Sequence, residues 1–147
     1  MSKTTTFSTR QKGLQRLAGA PVLRWICMLL LCAAYLQGGI NKLTDFGAAI
    51  GEMQHFGLSP AGPLAALVIL GELGASAMIL SGFYRWLGAG YLALFTLMAT
   101  FLANRFWEMT GMERFMAANS FFEHLGLAGG FLLIAWYDVQ PRQPGES

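Results

Sequence analysis

Four stretches of this chain, residues 21 to 40, 63 to 83, 86 to 104 and 121 to 136, are nearly free of charged side chains. A helix rises about 1.5 Å per residue, so about 17 to 25 apolar residues cross a hydrocarbon core. The first three runs meet that length and the fourth is the shortest. Backbone amides in lipid find no water, so each run is expected to satisfy its hydrogen bonds internally as a helix. Composition agrees: 54% of the residues are hydrophobic and 12% charged, where a soluble domain carries roughly 25% charged residues. The expected fold is all-α, a polytopic membrane protein with four transmembrane helices in an antiparallel bundle. A basic polar tail (1–20) precedes one membrane domain (21–138), and a polar tail (139–147) follows it.

Lys and Arg near helix ends set orientation. Lys3, Arg10, Lys12 and Arg16 precede the first run and Arg24 lies just inside it. Lys42 is offset by Asp45 and Glu52, Arg85 occupies the second connection, Arg105 and Arg114 the third, and Arg142 the tail. Four spans with both termini in the cytoplasm fit best, in a bacterial inner membrane. A secretory signal peptide is the competing reading of the first forty residues. The apolar run is long for one and leads directly into the next element, so it is read as a retained span. The tail itself is expected to touch anionic headgroups.

Between the first two runs, Thr44 or Asp45 can cap a short helix with Phe46, Ile50, Met53 and Phe56 at helical spacing, stopped by Gly57 and Pro60. It reads as an interfacial helix, with Glu52, Gln54 and His55 toward water. Tyr84 and Arg85 alone join the second and third runs, which forces an antiparallel hairpin. Gly71 and Ala75, and Gly126 and Gly130, have the spacing that lets helices approach closely in lipid. Cys27 and Cys32 lie five positions apart on one helix and are read as buried structural thiols. Nothing in the chain suggests nucleic-acid binding.

Glu72 is the most demanding residue, because a carboxylate at bilayer depth costs about 2.5 to 3.5 kcal/mol on insertion scales. Such groups face a bundle interior or a cavity. Tyr35, Thr96 and Thr100 offer hydroxyls near its depth, while Lys42 and Arg24 lie toward opposite ends. If either cation reaches Glu72 the pair is a structural latch; if neither does, the carboxyl is free to bind a ligand or move a proton. Both readings stand at this level. His124 is the second candidate because its charge can change near neutral pH; the alternative is a surface histidine bonded to headgroups or carbonyls. Gln37, Asn41, Lys42, Asn104, Arg105, Glu123 and His124 can meet in one polar cap. Phe106, Trp107, Phe115, Phe121 and Phe122 form an aromatic belt that anchors helices or stacks on a flat ligand. The chain lacks the phosphate-binding, nucleophile-elbow, zinc-protease and dinucleotide motifs, and it has no metal cluster.

Arg24 is followed by Gly39, Lys42, Leu43 and Phe46; the second run reads Gly71-Glu72-Leu73-Gly74-Ala75, then Leu80-Ser81-Gly82 and Arg85; the last run reads His124-Leu125-Gly126-Leu127-Ala128-Gly129-Gly130. In order and spacing this resembles the DoxX family of small four-helix membrane proteins, across residues 22 to 137. The stretch from Phe106 to Gly111 is similar to bacterial members. Gly38 stands where many members carry His, and the polar ending replaces a glycine-rich one. The resemblance implies a membrane subunit or quinone-binding component of a redox or quinone and oxidative-stress system. Arg24, Lys42, Glu72 and His124 are then its ligand or charged network. No redox cofactor site is evident, a quinone is the ligand considered, and enzyme activity is left open. The partners considered are the lipid bilayer, a redox protein and a second copy of the chain. A purely structural assembly protein and a small proton-coupled transporter are the rival readings.

Overall fold

A computed structural model describes residues 20–140. The tail residues 1–19 and 141–147, with the headgroup contacts expected of the first, lie outside the described residues. Every regular element among the described residues is helical: α1 (Pro21–Thr44), α2 (Phe46–His55), α3 (Ala61–Ser81), α4 (Arg85–Ala103), a short 3-10 turn (Phe106–Glu108) and α5 (Gly111–Val139). Three segments are long and apolar enough to cross a membrane: α1, α3 and the stretch Arg85–Glu108 that α4 opens. The fourth long helix departs from expectation. It starts at Gly111 rather than near residue 121, and it carries Glu113, Arg114, Glu123, His124 and Asp138, so it is longer and more polar than the apolar run alone indicates.

The helices pack in a chain of neighbours, α1 on α3, α3 on α4 and α4 on α5, with a thinner seam between α1 and α5. Met28, Cys32 and Tyr35 of α1, Ala75 and Ile79 of α3, Ala89, Leu92 and Ala93 of α4, and Phe131 of α5 share one core. Tyr35 meets Phe131 edge to face with ring centroids 5.3 Å apart, which fastens the thin seam. Small residues set the spacing elsewhere. A Cβ on Gly88 would lie 2.7 Å from the Ala75 carbonyl oxygen, and one on Gly39 would lie 2.8 Å from Leu73; larger side chains would push α3 away from α4 or α1. The expected pairs are therefore divided between partners. Ala75 receives Gly88, Gly71 lies directly beneath the Tyr91 hydroxyl, and Gly130 receives Leu31, whereas Gly126 has no such neighbour within 4 Å.

The α3–α4 hairpin turns through Gly82 to Tyr84. Gly82 has φ +83°, a left-handed conformation that glycine adopts without steric cost, and its amide caps Met78. Arg85 already belongs to α4; its Nε donates to the Ile79 carbonyl at 3.0 Å, and its guanidinium lies 3.5 Å from Asp138 at the end of α5. At the opposite end of the bundle, the Ala48 amide donates to the Asp45 carboxylate at 2.9 Å, capping α2. α2 then places Ala49 and Met53 on Ala65 of α3. The expected stripe is shifted: Phe46 is exposed, and small Ala49 makes the close contact instead. Cys32 is fully buried as expected, but Cys27 is exposed because it lies on the outward face of α1.

Candidate functional site

Glu72 is 5% exposed, halfway along α3. Its neighbours on the helix, Leu70, Leu73 and Ile69, offer it nothing polar. The Nζ of Lys42, from the last turns of α1, lies 3.3 Å and 3.4 Å from its two carboxylate oxygens. Lys42 also lies 3.9 Å from Glu52 of α2. One ammonium thus ties three helices. The Lys42 side chain retains 18% of its exposure and that of Glu72 only 7%, so the anion is the more deeply desolvated partner.

The hydroxyls expected to serve the carboxylate are committed elsewhere. Tyr35 bonds the Thr96 hydroxyl, which donates in turn to the Leu92 carbonyl at 2.5 Å. Ser76 donates to the Glu72 carbonyl, not to its carboxylate, at 2.7 Å. Thr100 belongs to a second polar group. The Asn104 side-chain amide lies 3.1 Å from each of the Thr100 hydroxyl, the Ser120 hydroxyl and Nδ1 of His124. Thr100 lies 3.1 Å from the same ring nitrogen. The amide has two hydrogens for these three neighbours; in the arrangement where one is directed at Nδ1, that nitrogen accepts and Nε2 is free to donate.

A cavity of about 760 Å³ joins the two groups, with Lys42, Glu72, Glu52 and His124 all on its walls. The rest of the lining is mostly apolar, from Ala34 and Gly38 of α1, Met53 of α2 and Phe56 just beyond it, Leu64 and Val68 of α3, Phe95 and Ala99 of α4, and Leu127 of α5. That volume lies within the roughly 300 to 1,000 Å³ of small-molecule sites, and a few polar groups in an apolar wall is their usual make-up. Gly38 is the opening over the ion pair: a Cβ there would lie 3.6 Å from both the Lys42 ammonium and a Glu72 oxygen. Any larger side chain would occupy the space in front of the carboxylate.

Of the four residues singled out from the sequence, three share this cavity. Arg24 does not reach it; it is exposed near the other end of α1 and forms no ion pair with Glu72. The expected polar cap is likewise split. Asn104 and His124 meet, Lys42 turns inward to Glu72, and Arg105 pairs with Glu108 at 3.2 Å. Gln37, Asn41 and Glu123 are exposed. Phe106, Trp107, Phe121 and Phe122 do cluster, joined by Phe101, while Phe115 is 62% exposed. Glu52 was expected in water; half of it is, yet it faces Lys42. Tyr91, which has no counterpart among the residues singled out above, lines the cavity beside Glu72 and stacks on Phe95 with centroids 6.1 Å apart. The spacing of 91 and 95 on one helix face was the available signal.

No solved structure matches the chain. It is 28% identical over 119 residues to the inner membrane protein YphA of Escherichia coli (strain K12), covering 80% of this chain and 84% of that protein. The DoxX family model matches residues 23–105, the segment that holds Lys42, Glu52, Gly38, Tyr91 and Glu72, and the chain therefore belongs to the DoxX family.

Proposed function

We propose that this DoxX-family protein is a four-span protein of the bacterial inner membrane that holds a quinone-type ligand for a redox or oxidative-stress system. In this reading α5 completes the fourth span, both termini face the cytoplasm, and α2 lies on the periplasmic surface. The inner-membrane relative and the three membrane-capable segments support the location. The observation that carries the ligand is the Lys42–Glu72 pair on the wall of an apolar cavity rather than within a sealed core. A pair whose sole task is to fasten helices gains nothing from an adjoining void, because close packing is what fastens them. A ring carbonyl could accept from the Lys42 ammonium or from Nε2 of His124, and Tyr91, Phe95 and Phe56 supply aromatic walls for the ring.

The test is retention of quinone. Purified protein in nanodiscs is loaded with decylubiquinone, washed and extracted, and the quinone is quantified per chain. The parent is expected to retain about one equivalent, and Glu72→Leu to lose it while remaining folded. Equal retention by both defeats the proposal.

A second reading has its own support. Lys42 contacts both Glu72 and Glu52, a geometry that serves a structural or assembly protein by locking α1, α2 and α3. Under it, Glu72→Leu loosens the bundle and no quinone is retained by the parent.

A further inference from the structure

The cavity is not closed on all sides by protein. Leu67 of α3 and Met98 and Leu102 of α4 line it, yet they are 61%, 64% and 36% exposed. All three are apolar and lie on the two helices of one hairpin. The close contacts of that hairpin lie toward its turn, where Gly88 meets Ala75 and Tyr91 covers Gly71. Between the Tyr91 contact and the α2 end, the wall between α3 and α4 consists of side chains that face both the cavity and the exterior. At about 1.5 Å per residue, Leu67 lies about 9 Å along α3 from Ala61, and Met98 about 8 Å along α4 from Ala103. Both positions fall within the apolar length of segments able to span a membrane, so on the reading of these segments as membrane spans they face lipid rather than water.

We propose that the α3–α4 cleft is a lateral doorway through which a membrane-dissolved amphiphile enters, its hydrogen-bonding head at Lys42 and Glu72 and its apolar tail lying out past Leu67, Met98 and Leu102. This rests on the reading of the cavity as a ligand site and adds the route and the tail. The chemical class follows from the two ends of the path. The inner end presents an ammonium and a carboxylate, and the outer end presents only aliphatic surface at hydrocarbon depth. A tail that remains in the cleft avoids exchanging its lipid surroundings for water, which costs about 0.8 kcal/mol for each methylene exposed. A soluble, tailless molecule has no use for such an opening.

The test compares decylubiquinone with the tailless ubiquinone-0 in nanodiscs containing the full-length protein. Leu67→Trp and Met98→Trp place a bulky ring in the cleft, and Leu70→Trp, at a residue 69% exposed and absent from the cavity wall, is the control. Doorway variants are expected to bind decylubiquinone about tenfold more weakly, the scale of a modest steric conflict, while ubiquinone-0 binding stays within about twofold of the parent. Leu70→Trp should match the parent for both. Unchanged decylubiquinone binding in both doorway variants, with Glu72→Leu abolishing it, overturns the doorway and leaves the ligand site standing. Equal weakening of both quinones, or the same loss in Leu70→Trp, also overturns it. If the parent binds neither quinone, the ligand site falls and the doorway with it.

Discussion

Removing the two members of the Lys42–Glu72 pair should have unequal consequences. Breaking a buried ion pair by deleting one partner costs about 3 to 5 kcal/mol, because the survivor is left charged and unpaired. Glu72 has Lys42 as its charged partner, and its side chain is 7% exposed. Lys42→Met should therefore fall near the lower end of that range, about 3 kcal/mol, since the cavity offers some room for water. Lys42 is better placed to survive alone. Its side chain is 18% exposed and Glu52 stands 3.9 Å away, so Glu72→Leu should cost only about 1 kcal/mol. The double variant, which removes both charges, should lie close to Glu72→Leu and above Lys42→Met. The cycle then yields a coupling of about 3 kcal/mol. Unfolding in mixed detergent micelles, titrated with sodium dodecyl sulfate and followed by circular dichroism, measures all four proteins. Equal losses in the two single variants, or a double variant that loses their sum, would refute the reasoning, since either shows that the charges do not depend on each other in this way.

Three further outcomes follow from geometry. Gly88→Ala should destabilise the protein by roughly 1 to 3 kcal/mol in the same titration, because its Cβ would meet the Ala75 carbonyl at 2.7 Å and backbone cannot swing aside; no measurable loss would mean α3 and α4 part easily there. Gly38→Phe should fill the space before Glu72 and abolish quinone retention while keeping stability within about 1 kcal/mol of the parent, since a cavity accepts volume that a packed core rejects. Asp45→Ala should remove the α2 cap at a cost of about 1 kcal/mol, seen as faster hydrogen exchange at Ala48 and its helical neighbours but not within α3.

Much of the fold was legible because lipid leaves a chain few choices. An apolar run of about 20 residues has helix as its economical form, and the brevity of the link at Tyr84 dictates a hairpin. The start of α5 was not legible, since residues 111 to 120 carry no sustained apolar signal and become helical by continuing a helix already fixed by its packing on α4. Glu72 stood out by its cost alone, and Lys42 by its place in the Gly-x-x-Lys pattern. Arg24 does not join Lys42 at Glu72 for a geometric reason: it lies near the opposite end of the same helix. Glu52 and Gly38 are named from the sequence, but their places at the ion pair are not legible there because their significance is relational. A glutamate on an amphipathic helix reads as solvated until a lysine is found opposite it, and a glycine reads as helix spacing until the space it leaves proves to adjoin a carboxylate.

The thin seam between α1 and α5 has a consequence for how the protein is made. Synthesis delivers α1 and α2 first, and Lys42 acquires Glu72 once α3 follows. The α3–α4 and α4–α5 contacts then form between successive helices with little delay. His124, however, comes from the last helix, and α5 must return to the first to bring Gly130 against Leu31 and Phe131 against Tyr35. A chain that has reached the end of α4 thus carries both the ion pair and most of the cavity's lining residues, and lacks only the His124 and Leu127 side of the chamber. The pair and most of the walls beside it belong to the early part of the chain, and the last helix adds the one wall that carries a histidine.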